Sequence, residues 1–436
     1  MQDSRRLPGH GAVLLEQLPA PQASGNYVGR RIYRSSDTGS APYQLVAEID
    51  ATATSFLDDG TTDPTAVLDD SIQQGRPNGR LEIDPSIVVK LDGARFELEL
   101  GAQMIAEGDD GREIIFTSIA DDRYGAGGTF DTGNDGAIIA GSSNDPQAGD
   151  WGGIYGGHLS NLNLDHAVFA YGGGVTRVEG TFTAFNVVEI MDQAEARIAN
   201  SVFEFNARGQ GGQGEANRFG RGFNEPGVVF VRQAQPVIYN NIFRNNPDDD
   251  PSTSQTNTNL ATPAININVN ALNYVFKRDT GRTTGPIDRV EGYRDNQGPL
   301  ILDNQLDDNE INGMVVRGQT LTTQSVWDDT DIVHVLFDTV HVSDFHSYGG
   351  LRLQSSATQS LVVKLLGAEA GFTATGRPLD ITDRIGGMLH VLGQPGYPVV
   401  FTSLNRRRES IGKVSGPQKL PESVDYNLWA GPAPMA

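Results

Sequence analysis

The chain has no cysteine among its 436 residues. That excludes a disulfide framework, a thiolate zinc site and a cysteine nucleophile. It also lacks any apolar run of the roughly 18 to 20 residues that a membrane-spanning helix needs, so no membrane insertion is expected. Basic residues are scarce: 33 Lys and Arg stand against 55 Asp and Glu, a formal charge of −22. A phosphate backbone demands a basic face, so nucleic acid is not an expected partner, and anionic membrane surfaces are disfavoured too. An acid excess keeps a protein soluble by self-repulsion and also suits divalent cations, which leaves plain solubility and calcium dependence as two readings. Arg5 and Arg6 are followed by no apolar core, so no export signal is visible in this chain.

What is present is turn chemistry and repetition. Fifty-two Gly, with many Asn, Asp and Thr, suit short strands joined by tight turns. Few stretches read as helical, and the expected class is all-β. SIVVKLDGA at 86–94 recurs as SLVVKLLGA at 360–368, with seven of nine positions identical. Each copy is followed by a run ending in FTS, at 116–118 and again at 401–403. The first match lies at an offset of 274 (Lys364 minus Lys90) and the second at 285 (Phe401 minus Phe116), so the later copy carries an insertion between its two strands. Apolar strand, Gly-rich turn and apolar strand, repeated, indicate coil-by-coil stacking in which each unit buries its apolar face against the next.

The N-terminal run NYVGRRIYRSSDTGSAPYQLVAEI reads as two strands around a polar turn. With the TSFLDDG that follows, it resembles part of a fibronectin type III domain; a full module is about 100 residues, so residues 1–77 are expected to be a truncated module or a capping hairpin. From 78 onward come LEIDPSIVVKL, FELELGAQMIAEG, REIIFTS, GDWGGIYGG and LSNLNLDHAVFAYGGG. This succession, over 81–174, resembles the pectate-lyase-type right-handed parallel β-helix of large bacterial exoproteins, as do VWDDTDIVHVL and DRIGGMLHVLG near the end. The resemblance implies a β-helix over 78–404 with rungs of about 20 to 25 residues. Residues 405–436 are more basic and read as an irregular tail.

Two further rungs, ARIANSVFEFNARG and QPVIYNNIFRNNP, align at an offset of 40, which pairs Asn200 with Asn240, Phe203 with Phe243 and Asn206 with Asn246. The Asn pairs are expected to form a turn ladder bonding the next rung's backbone, and the Phe pair to stack in the core. Trp151 of GDWGGI is a further structural residue. Polar insertions at 210–226 and 247–262 are expected to bulge as surface loops.

The acidic loop 121–136 is the candidate calcium site, with Asp121, Asp122, Asp131, Asn134 and Asp135 as oxygen ligands, against an ion-free Asp/Gly loop. Asp328, Asp329 and Asp331 beside Trp327 are the alternative site: carboxylates for glycosidic acid–base chemistry, with Trp327 stacking a sugar. Against it stands a core Trp followed by turn aspartates. His166 and Asp165, as neighbours on a strand, are expected to point to opposite faces. His334, His341 and His346 share no third partner for zinc. The signature sets of polygalacturonases and pectate lyases are missing, which makes an enzyme the weaker reading.

The expectation is therefore an extracellular or cell-surface structural or adhesive module of a larger repetitive exoprotein. Its partners would be surface polysaccharide or other exoprotein chains, with calcium as the only cofactor in view. A polysaccharide lyase or glycoside hydrolase acting in a β-helix groove is the first alternative, and a self-assembling filament subunit the second, because end rungs offer unpaired strand edges.

Overall fold

The computed structural model describes residues 4–6, 13–16, 18, 29–34, 44–60, 79–133, 145–209, 220–246, 262–273, 297–344, 350–376 and 387–404. The chain divides into two compact units, Met1–Gly79 with Arg282–Gly285, and Arg80–Gly281 with Pro286–Ala436. In the first, Val13–Glu16 lies antiparallel between Ser4–Arg6 and Ser55–Asp58, and Arg30–Arg34 pairs antiparallel with Gln44–Ile49. Arg34 Nη1 reaches both carboxylate oxygens of Asp58, at 2.9 and 3.1 Å, and so ties the hairpin to the three-stranded sheet.

The second unit is all-β, and among its described residues the helical content is one 3-10 turn at Val269–Ala271. Its strands visit three parallel sheets in rotation. The first sheet holds Arg80–Ile83, Gln103–Glu107, Asn161–Asp165, Glu195–Ala199, Val237–Tyr239 and Leu300–Leu302. The second holds Val88–Leu91, Ile114–Ser118, Ala167–Ala170, Val202–Glu204, Ile242–Arg244 and Gln305–Asp307. The third runs on alone to the far end, through nine strands from Phe96–Leu98 to Val399–Ser403. Beyond Ile311–Arg317 its companions are a three-stranded sheet (Ser325–Trp327, Gly350–Gln354, Met388–Leu392) and a two-stranded one (Thr339–Val342, Gly371–Ala374). This order is compatible with a parallel β-solenoid.

The sequence repeat has a structural meaning. In the first copy Val89, Lys90 and Leu91 lie opposite Phe116, Thr117 and Ser118. In the second, Val363, Lys364 and Leu365 lie opposite Phe401, Thr402 and Ser403. The two copies therefore share one register, although the first sits in the second sheet and the other in the third. The length of a turn is less regular than the expected rung. Arg80 meets Gln103, and Met314 meets His334, within the expected length. Ile242, in contrast, meets Gln305 only after the long 247–299 stretch has intervened. The longer connections fall between strands, and the pairing of Pro263–Asn268 with Ile311–Arg317 carries one register shift, between Pro263 and Ile265.

The core is built of columns. Phe116, Phe169, Phe203 and Phe243 stack face to face, with centroids 5.1, 4.7 and 4.7 Å apart, and all four are fully buried. In the third sheet one inward column runs Phe96, Ile154, Val188, Val229, Ile265, Met314, His334, Val363 and Phe401. Trp151 is fully buried and donates its indole N–H to the Ala170 carbonyl at 2.8 Å. The glycines around it are steric requirements: a Cβ on Gly153 would lie 1.9 Å from the Asn186 carbonyl oxygen, and one on Gly174 would lie 1.7 Å from that of Gly149.

Candidate functional site

The corners after the first and second sheets turn on single left-handed residues. After the first sheet these are His166, Asn200, Asn240 and Asp303, with φ of 44°, 50°, 51° and 58°. After the second they are Tyr171, Phe205, Asn245 and Asp308, with φ of 62°, 56°, 51° and 51°. Asn and Asp tolerate this conformation because their short side chains bond locally. At three of the turns on each corner the next residue points inward and bonds the neighbouring turn. Asn241 accepts the Ser201 amide at 3.0 Å, and Asn304 accepts the Asn241 amide at 3.1 Å. Asn246 accepts the Asn206 amide at 3.0 Å and donates to Asn309 at 2.6 Å.

The expected Asn200–Asn240 ladder is thus corrected by one residue. Asn240 does donate to Asn200, at 2.8 Å, but both sit on the outer rim, because the left-handed turn swings their side chains outward. The rungs are bridged from inside by Ser201–Asn241–Asn304 and by Asn206–Asn246–Asn309. The second of these contains the expected Asn206–Asn246 pair.

The same geometry overturns the expected separation of His166 and Asp165. His166 Nδ1 lies 2.7 Å from the Asp165 carboxylate. His166 is the corner residue rather than a strand residue, so the alternation of faces stops at Asp165. Asp165 is fully buried and also accepts from Arg197 and, at 2.9 Å, from Asn200. Further along this corner the Asp303 amide donates to Asp331 at 2.6 Å. Burial, with the Asp303 charge adding to it, pushes the Asp331 carboxyl up to about 6.

The second corner carries a charged and aromatic cluster. Arg123 holds Asp121 at 2.9 and 3.0 Å and Glu204 at 2.8 Å, and Arg244 closes on Glu204 at 2.7 Å. The Arg123 guanidinium lies 5.2, 5.2 and 5.3 Å from the ring centroids of Tyr124, Tyr171 and Phe205. Burial pushes the Tyr171 hydroxyl up to about 12. Asp121, expected from sequence as a calcium ligand, is fully buried with its carboxylate in this ion pair. Asp122 and Asp131 are half-buried, and Asn134 and Asp135 lie outside the described residues. Among the described residues no group of three acidic or imidazole side chains is placed to hold a metal ion. No sequence motif marks Arg123, Glu204 and Arg244, yet the offset of 40 that pairs Phe203 with Phe243 also pairs Glu204 with Arg244.

Trp327, Asp328 and Asp329 do not line an open groove. Trp327 is fully buried, so its ring offers no face to a sugar; Asp328 and Asp329 are 4% and 3% exposed. Trp327 stacks on His334 with centroids 5.2 Å apart and packs on Phe372 at 5.7 Å. Because His334 occupies an inward column position, burial lowers its pKa from 6.5 to about 4, against the opposing effect of the Ile332 backbone. An unfolded chain therefore takes up a proton that the folded one refuses. Stability from this group is complete above 6.5 and falls as pH drops toward 4, by about 3 kcal/mol. Asp331 works in the opposite sense: its stabilising contribution is full below 3.8 and is lost as pH rises through about 6. His334→Met, matching Met314 beneath it, is expected to remove most of the acid-induced loss. Urea midpoints of both proteins at neutral pH and near the folded pKa of His334 measure this; an unchanged difference between them would refute it.

No protein-family model, curated protein or solved structure matches the chain. What fold and site define is an all-β protein of stacked parallel sheets, with polar groups gathered along its corners.

Proposed function

We propose that the chain is a secreted or cell-surface structural and adhesive module of a larger repetitive exoprotein. In this reading the second unit is a right-handed parallel β-helix of the pectate-lyase type, and the first is a partial fibronectin type III-like segment. The observation that carries it is the nine-stranded third sheet, with one inward column from Phe96 to Phe401: a scaffold whose turns vary in length while one column passes through every strand. Solenoids of this kind present their insertions and faces to partners.

A contact surface consistent with glycan binding lies on the hairpin Val175–Val178 and Thr181–Ala184. Val178 is buried in a cluster with Tyr155, Phe185, Met191 and Phe230, whereas Phe182 on the other face is 69% exposed and Val175 51%. An exposed aromatic ring is suited to the apolar face of a sugar. Most of the 210–226 and 247–262 insertions, the other expected contact sites, lies outside the described residues. Calcium remains part of the proposal only through the 121–136 loop.

Retention on a polysaccharide panel tests this. The wild-type chain is expected to be retained without shortening the polymer. Phe182→Ala should lose retention while its stability changes by no more than about 0.5 kcal/mol. Retention unaffected by Phe182→Ala would remove the hairpin from the proposal. The raised Asp331 carboxyl favours one second reading, a glycoside hydrolase: depolymerisation that disappears in Asp331→Asn would replace the adhesive reading with that one.

A further inference from the structure

We infer that copies of this chain associate head to tail, the third sheet of one continuing into the third sheet of the next. The inference goes beyond the adhesive reading and does not depend on it.

The two ends of the stack are complementary. Among the described residues, Phe96–Leu98 and Val399–Ser403 are the edge strands of the third sheet. In a parallel sheet the two edges present opposite sides of the same hydrogen-bonding pattern, so the tail edge of one copy fits the head edge of another. Core positions are left open at both ends. At the tail Phe401 continues the column of Val363, and Val391 pairs with the buried Leu353, yet they are 43% and 45% exposed. At the head Leu81 pairs with the fully buried Met104 and is 39% exposed, and Ile87 is 44% exposed.

The internal repeat says what an FTS strand looks like when covered. In the first copy Ala167–Ala170 lies on it in parallel, Phe169 stacks on Phe116, and Phe116 is fully buried. In the second copy the equivalent Phe401 has Phe372 edge-on at 6.1 Å and 43% of its surface open. Phe96, at the head, also occupies an inward position and stands edge-on to Phe116 at 5.9 Å. A second copy docked in register places Phe96 over Phe401 and restores the aromatic stack. Val399–Ser403 carries no charged side chain that would oppose this. Such an interface is heterologous, so it propagates rather than closing into a pair.

Sedimentation velocity on the full chain, with electron micrographs of the same samples, tests the inference. The wild type is expected to grow in mass across about a hundredfold range of concentration and to form fibres. Phe401→Asp blocks the tail and Ile87→Asp blocks the head, and each alone is expected to be a monomer with wild-type circular dichroism. Mixed in equal amounts, they should form a dimer and stop there, because each retains one competent end; that outcome also shows that both variants fold. A wild type that stays monomeric throughout overturns the inference, and so does a mixture of the two variants that stays monomeric. Self-association of Ile87→Asp alone would show a tail-to-tail contact and overturn it equally.

Discussion

Phe203→Ala is expected to lower the unfolding free energy by about 3 to 5 kcal/mol, as truncations of buried aromatics do. Phe203 is fully buried and sits in the middle of four stacked rings, 4.7 Å from both Phe169 and Phe243. Its removal leaves two ring faces without contact in the turns above and below. Because neighbouring turns stabilise each other, the loss should spread locally before it becomes global. Chemical denaturation gives the magnitude. Amide exchange would place the weakening in strands Ala167–Ala170 and Ile242–Arg244 first. A variant with wild-type stability would mean that the aromatic column is not a principal source of cohesion.

Asn246→Leu is expected to be nearly as damaging, by about 2 to 4 kcal/mol, although leucine is close in size and more apolar. The side chain is fully buried and bonded at both its oxygen and its nitrogen. Its oxygen accepts from the Asn206 backbone and side chain at 3.0 and 3.1 Å, and its nitrogen donates to the Phe203 carbonyl at 3.1 Å and to Asn309 at 2.6 Å. Leucine strands the Asn206 amide inside the core, where an unmet donor costs about 1 to 3 kcal/mol. Asn246→Asp should be worse at neutral pH, because a carboxylate would face the Phe203 carbonyl and the Asn309 oxygen. Lowering the pH should recover part of that loss by protonating it. Denaturation midpoints for both variants at two pH values test the pair; a leucine variant as stable as wild type would show that the ladder only aligns the turns.

How far the sequence could be read follows from which interactions repeat. The VVKL and FTS copies align by eye and pair in one register, Val89–Leu91 on Phe116–Ser118 and Val363–Leu365 on Phe401–Ser403, although they belong to different sheets. The offset of 40 places Phe203 on Phe243, and the same offset contains Glu204 on Arg244, since sheet neighbours in consecutive turns are separated by one turn length. Corners are harder. Strand alternation sends Asp165 and His166 to opposite faces, and a single left-handed residue at 166 reverses that. Nothing in one sequence shows which Asn of an Asn–Asn pair, 240 or 241, turns inward. The Trp327 cluster fails as a groove for a related reason: three aspartates beside a tryptophan read alike whether the ring faces solvent or His334.

By itself the sequence determined the all-β class, the strand-and-turn rhythm, the stacking unit and its apolar columns. These follow from local residue types and from repetition, which neighbouring turns translate directly into contacts. Tertiary structure alone decided which carboxylates are buried and paired, which histidine lies in the core, and which Asn row faces inward. Those outcomes depend on turns brought together from well-separated parts of the chain (Val168 with Val202, Ile242 with Gln305), and no local pattern encodes what will lie on the other side.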